Sequence, residues 1–216
     1  MCKAKRLERL VPALGLTLAF FASGCAVMQP RVERWTPPPA GSSWEVAQRN
    51  TGSFGKDAQF RVTRGDGIWQ GAPVVTLTNS LGMSTMAAPD SGRWIAIVGR
   101  DGKAVTSWDP PLGWEYPLTV GKSWTTRYRM TLHASGKTLP YDLSCKIESH
   151  EKVTVKAGAF DAFKVVCATN IGNEETYWTQ PDLGVFVKAS LRRTEKSPFG
   201  AGTQEMELVS APMKKP

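Results

Sequence analysis

From Trp44 onward, turn-forming residues recur about every ten positions, the spacing of an all-β chain. Asp66-Gly67, Asn79-Ser80, Asp90-Ser91-Gly92, Asp101-Gly102, Ser135-Gly136 and Ala157-Gly158 supply the punctuation. An amphipathic helix needs three or four turns of uninterrupted apolar spacing to bury a stripe. No stretch after residue 25 offers that, so the chain must bury its apolar side chains from strands. The runs between turns alternate as strands do. PVVTLT at Pro73–Thr78 is a β-branched run. SWTTRYRMTL at Ser123–Leu132 puts Trp124, Thr126, Tyr128 and Met130 on one face. Asp101-Gly102, between Trp94–Gly99 and Ala104–Trp108, is a hairpin signal. Further strands are expected over 58–64, closed by a turn at Gly65-Asp66-Gly67, and over a long region ending at Val155. Others are expected at Phe160–Ile171, Glu174–Thr179, Gly184–Thr194 and Thr203–Ser210.

The first 25 residues have a different composition. Lys3, Lys5, Arg6 and Arg9 precede an apolar run from Leu10 to Ala22, interrupted by Pro12 and Gly15, and then Ala22-Ser23-Gly24-Cys25. A membrane span needs about 20 apolar residues and a signal-peptide core only about 7–15, so the run fits an export signal. Ala22–Cys25 resembles the lipobox of bacterial lipoproteins, with Ala22 where Leu is commoner. The resemblance implies a signal peptide over 1–24 and lipidation of Cys25, the thiol accepting a diacylglyceryl group and the anchor including palmitate-type chains. Ala26 in place of Asp after the cysteine implies transfer to the outer membrane. An ordinary secretory cleavage after Gly24 is the alternative. A tether is expected over 25–42, where Thr36-Pro37-Pro38-Pro39-Ala40-Gly41 favours extended polyproline geometry at about 3.1 Å per residue. Trp35 is expected to pack back on the domain or to sit at the lipid interface.

An all-β periplasmic domain is expected over 43–216, with a possible sub-boundary at the proline-rich break near 109–117. The formal charge of +8 includes four basic side chains and one acid within residues 1–24, which leaves +5 on the rest. Those charges are scattered rather than gathered into a basic stripe, which argues against nucleic acid as a partner.

Of four cysteines, Cys2 falls in the signal and Cys25 at its end, leaving Cys145 and Cys167 for an oxidising compartment. Leu143, Cys145 and Ile147 alternate with polar residues, and Phe163, Val165 and Cys167 share a second apolar face. A bridge would close a loop worth about 3 kcal/mol in the chain-entropy model. A hairpin turning at Gly158, however, leaves the two cysteines three or four residues out of register, roughly 10 Å. A bulge near Ser149-His150 or a non-adjacent pairing must absorb this; two buried thiols are the alternative.

Three stretches carry a resemblance: YPLTVGKSW at Tyr116–Trp124, VTVKAGAFDAFKV at Val153–Val165 and TYWTQPDLGVFVK at Thr176–Lys188. Together they resemble uncharacterised exported proteobacterial proteins, lipoproteins among them. The resemblance implies a curved antiparallel sheet or incomplete β-barrel, similar in shape to the half-barrels of periplasmic lipoprotein carriers. Phe160, Phe163 and Trp178 would fill its concave face.

Catalytic signals are weak. His133 and His150 have no Cys or His at metal-ligand spacing, although Glu148, His150 and Glu151 cluster in sequence. Gly82-Met83-Ser84-Thr85-Met86 begins like a nucleophile elbow and fails at its last position. Asp57, Asp66, Asp90 and Asp101 fall in expected turns, where Asp bonds its own backbone. The expectation is a non-catalytic protein without metal or cofactor, anchored at the periplasmic face of the outer membrane and binding or supporting an envelope partner. Its rival is a carrier of a lipid or other hydrophobic ligand on a concave sheet face, and an open interior pocket of some 300 Å³ or more would favour it.

Overall fold

The computed structural model describes residues 30–214; the signal over 1–24 and Cys25 lie outside the described residues. The strands are β1 (Arg31–Val32), β2 (Ser42–Asn50), β3 (Ala58–Trp69), β4 (Ala72–Asn79), β5 (Ser84–Ala87), β6 (Trp94–Val98) and β7 (Ala104–Leu112). They continue with β8 (Leu118–Thr119), β9 (Ser123–Leu132), β10 (Lys137–Val155), β11 (Gly158–Thr169), β12 (Asn173–Gln180), β13 (Val185–Arg193) and β14 (Gly202–Lys214). β2 to β7 and β9 to β14 form a twelve-stranded antiparallel meander, and β14 pairs with β2 to close it. The expected curved sheet therefore closes completely, which leaves no barrel edge to template aggregation. β7 takes in residues 109–112 of the proline-rich break and pairs directly with β9, while residues 113–117 lie outside the strands.

The alternation runs apolar-in, polar-out. In β9, Trp124, Tyr128 and Met130 are buried while Ser123, Thr125, Arg127 and Arg129 are exposed. A membrane-spanning barrel needs the reverse, an apolar outer band around a polar lumen.

Eight strands make a barrel that side chains just fill, and twelve make a wider one. This interior is filled because the sheet coils around two cores. The first gathers Leu118, Trp124, Tyr128, Met130, Tyr141, Leu143, Ile147, Phe163 and Val165. The second gathers Trp44, Val46, Val62, Val153, Val155, Ala162, Val187 and Leu208. A strand with one wet face buries every second residue, yet neighbours Ala162 and Phe163 are 0% and 1% exposed and belong to different cores. Tyr177 and Trp178 divide in the same way. This stretch of sheet therefore runs between the two cores, and Phe160, Phe163 and Trp178 do not share one concave face as expected.

The register of β10 and β11 explains the cysteines. The turn lies at Lys156-Ala157, ahead of Gly158, which removes most of the mismatch. A bulge between Ile147 and Ser149 removes the last residue of it, so Cys145 pairs directly with Cys167. Their Cα atoms are 4.1 Å apart and the sulfurs are bonded. The expected turn at Gly65–Gly67 does not form, and β3 runs through it to Trp69. Those glycines allow close packing instead, since a Cβ on Gly65 would lie 2.8 Å from the Thr76 hydroxyl. The chain reverses at Gln70-Gly71, both with positive φ (50° and 83°), as a tight hairpin requires.

The proline-rich stretch is a docked strap. β1 pairs with β8, the Trp35 indole donates to the Gly184 carbonyl at 3.0 Å, Pro38 is buried, and the Gly41 amide bonds Arg64 O at 2.9 Å. Gly92 and Gly184 accept the strap because they lack side chains. A Cβ would stand 2.5 Å from the Trp35 ring at the first and 2.1 Å from Thr36 O at the second. Trp35 thus packs on the domain, and residues 31–41 do not form a free spacer.

Candidate functional site

Two hairpins curl over the barrel. The tip of β10–β11 lands on the second core: Val153, Val155, Ala157 and Phe160 join that cluster, and the Ala157 amide donates to Leu208 O at 3.0 Å. The tip of β3–β4, carrying Trp69 and Gln70, instead roofs a cleft of about 340 Å³ against β7, β9 and β10. That volume lies within the range of small-molecule sites.

Cross-strand register builds the cleft floor. Ser107 faces Thr131, Asp109 faces Arg129, and Thr131 faces Thr138. The Ser107 hydroxyl shares a hydrogen bond of 2.9 Å with His133 Nε2, the Thr131 and Thr138 hydroxyls are 3.1 Å apart, and Arg129 forms an ion pair with Asp109 at the rim. Trp69 and Ile95 supply apolar wall. Ser107–His133 has the pairing of a nucleophile and a base, which a third group must orient. Among the described residues no carboxylate bonds the other ring nitrogen, and the nearby Asp109 is held by Arg129. The floor can donate and accept hydrogen bonds to a ligand, and its charges are internally neutralised.

A second opening, about 420 Å³, is a shallow depression over β9, β10 and β11 beside Ser123, Thr125, Ser144 and Lys146. It reaches the edge of the first core, because Trp124, Cys145 and Cys167 also line it. The interior side does hold a polar group that alternation could not reveal. Glu175 accepts from the Tyr177 hydroxyl at 2.8 Å and from Tyr141 at 3.5 Å, while Arg193 stacks between Phe54 and Phe199 nearby. Burial pushes the Glu175 carboxyl above the usual carboxylate range, against the pull of these hydrogen bonds, and burial likewise raises both tyrosines.

Glu148, His150 and Glu151 do not converge. Glu148 binds Lys164 at 2.8 Å, Glu151 accepts from the Trp178 indole at 2.8 Å, and His150 meets the Phe163 ring at 4.8 Å. Among the described residues no three metal-ligating side chains gather. Asp101 accepts the Lys103 amide at 3.1 Å as a local turn bond, while Asp57 accepts the Asn50 amide at 2.7 Å across the loop between β2 and β3. Asp66 sits within β3 and pairs with Arg64.

Fold and site define a closed, filled antiparallel barrel with a docked N-terminal strap and a polar cleft on its outer side. No family model and no curated protein matches the chain. Among solved structures it is similar to a Bacteroides fragilis protein taken to be exported, with a YmcC-like fold (14% identity, TM-score 0.46, covering 82% of this chain and 98% of that one). It is also similar to a protein taken to be a lipoprotein from Parabacteroides distasonis (10%, 0.41, 83% and 98%). A third is the hypothetical lipoprotein YmcC from Escherichia coli (13%, 0.43, 81% and 84%). At such identities and scores, function has to be argued from this chain's own residues.

Proposed function

We propose that the chain is a non-catalytic lipoprotein, anchored through Cys25 at the periplasmic face of the outer membrane, whose barrel binds or supports an envelope partner. The filled interior carries this reading. Tyr128, Phe163, Leu118, Ile147 and Leu208 are among the side chains with under 2% of their surface exposed, spread over both cores. A carrier would need that space for an acyl chain. The order of basic, apolar and Ala-Ser-Gly-Cys segments supports the anchor. The docked strap supports a short stand-off, because six residues from Cys25 to Arg31 reach about 20 Å at most.

Native mass spectrometry of the mature chain released from the envelope tests the reading. The expected mass is that of the acylated polypeptide alone; a stoichiometric, non-covalent lipid would favour the carrier. Cys25→Ser is expected to abolish labelling by palmitate, and unchanged labelling would end the anchor.

A further inference from the structure

We propose that the cleft beneath the β3–β4 tip is a binding site for a neutral saccharide. This deepens the reading of a partner-binding envelope protein by naming the partner's chemistry, and it is tested on the purified protein whether or not the anchor stands.

The floor limits the ligand first. Three side-chain pairs, Ser107–His133, Thr131–Thr138 and Asp109–Arg129, lie side by side across β7, β9 and β10. They present hydroxyl, imidazole, carboxylate and guanidinium groups over one short patch of sheet. A lipid chain would strip water from the donors and acceptors those pairs leave free, at a cost of about 1–3 kcal/mol for each one buried unsatisfied. An anion would have to break the Arg129–Asp109 pair and then sit beside the carboxylate, so the cleft's cation is already used. A neutral ligand rich in hydroxyls satisfies donors and acceptors without disturbing either.

The wall limits it second. Trp69 and Gln70 line the cleft from the overhanging tip, and Ile95 lines it from β6, next to the floor strand β7. An indole offers a negative π-face and a large apolar area. A pyranose has the matching asymmetry: C–H groups, weakly positive, on its ring faces and hydroxyls around its rim. The same residues would make a poor site for a compact polar solute, which has no apolar side for Trp69. The tight Gln70-Gly71 turn fixes the backbone that carries the indole, which reduces the ordering that binding requires of that tip.

The experiment is a fluorine NMR titration of the full chain carrying Cys25→Ser and 5-fluorotryptophan. Trp69 is assigned among the eight tryptophans by the resonance lost in Trp69→Phe. Maltotriose, cellotriose and tri-N-acetylchitotriose are the probes, with inorganic sulfate and decanoate as counter-probes. The expected result is a saturable shift of the Trp69 resonance with at least one trisaccharide at millimolar concentration. Calorimetry should then show about tenfold weaker binding, ~1.4 kcal/mol, in both Trp69→Ala and the exposed-site variant His133→Ala. Silence with all three trisaccharides overturns the proposal. So does saturation by sulfate or decanoate at equal or lower concentration, or full affinity in a folded His133→Ala protein.

Discussion

The two curled hairpins make the same excursion and meet opposite surfaces. The β10–β11 tip brings Val153, Val155 and Phe160 onto apolar residues of β2, β3 and β14, and they join one apolar cluster. The β3–β4 tip brings Trp69 over Ser107, Thr131 and His133, and a cleft remains. Hydrophobic burial at about 25 cal/mol per Å² draws the first tip down until packing is complete. The second meets hydrogen-bonded pairs whose dehydration would cost more than contact returns, so the space stays wet. In this barrel the residues under a hairpin, rather than the hairpin itself, decide whether an overhang becomes core or site.

The largest expected effect comes from the strand between the cores. Phe163 is 1% exposed, and Phe163→Ala should cost about 3–5 kcal/mol in denaturant unfolding. A loss below about 1 kcal/mol would mean that the first core is not packed as described. Removing the Cys145–Cys167 bridge by double alanine substitution should cost about 2–4 kcal/mol, and the unreduced, denatured mature domain should show no free thiol. Two free thiols would contradict the pairing.

The two tips are compared directly by Val155→Ala and Thr138→Ala. The first removes two methyl groups from a side chain 7% exposed, for about 2 kcal/mol. The second removes an exposed hydroxyl from the cleft, within about 0.5 kcal/mol. Equal costs would erase the distinction between dry and wet overhangs.

The smallest effect concerns pH. Because burial raises the Glu175 pKa in the folded chain, the folded state holds this proton more tightly than the unfolded state. Its contribution is therefore fully present below the unfolded carboxyl pKa and lost as pH rises through the folded value. Glu175→Gln should be more favourable relative to wild type at neutral pH than in acid, measured by unfolding at a series of pH values. A gap that does not change with pH would show that the carboxyl is not desolvated.

Much of this architecture was legible in sequence. The alternation in Ser123–Leu132 assigned its buried face, and elimination singled out Cys145 and Cys167. Turn position was harder to read. Placing the reversal at Gly158 rather than at Lys156-Ala157 shifts the register by twice the error, because both strands move. Gly65 and Gly67 looked like a turn because close approach and positive φ draw on the same residue. The strap looked like a spacer because the glycines that receive Trp35 and Thr36 lie far away in sequence. The cleft had no local signal at all. Trp69, Ser107, His133 and Thr138 come from the end of β3, the body of β7, the turn after β9 and the start of β10, and each alone is an ordinary surface residue.

Hydrogen exchange resolved at single amides tests the contrast between the hairpins most directly. The account predicts that the Ala157 amide, bonded to Leu208 O over a dry core, exchanges much more slowly than the amides of Trp69–Gly71 at the wet overhang. Equal or reversed protection at the two tips would contradict it.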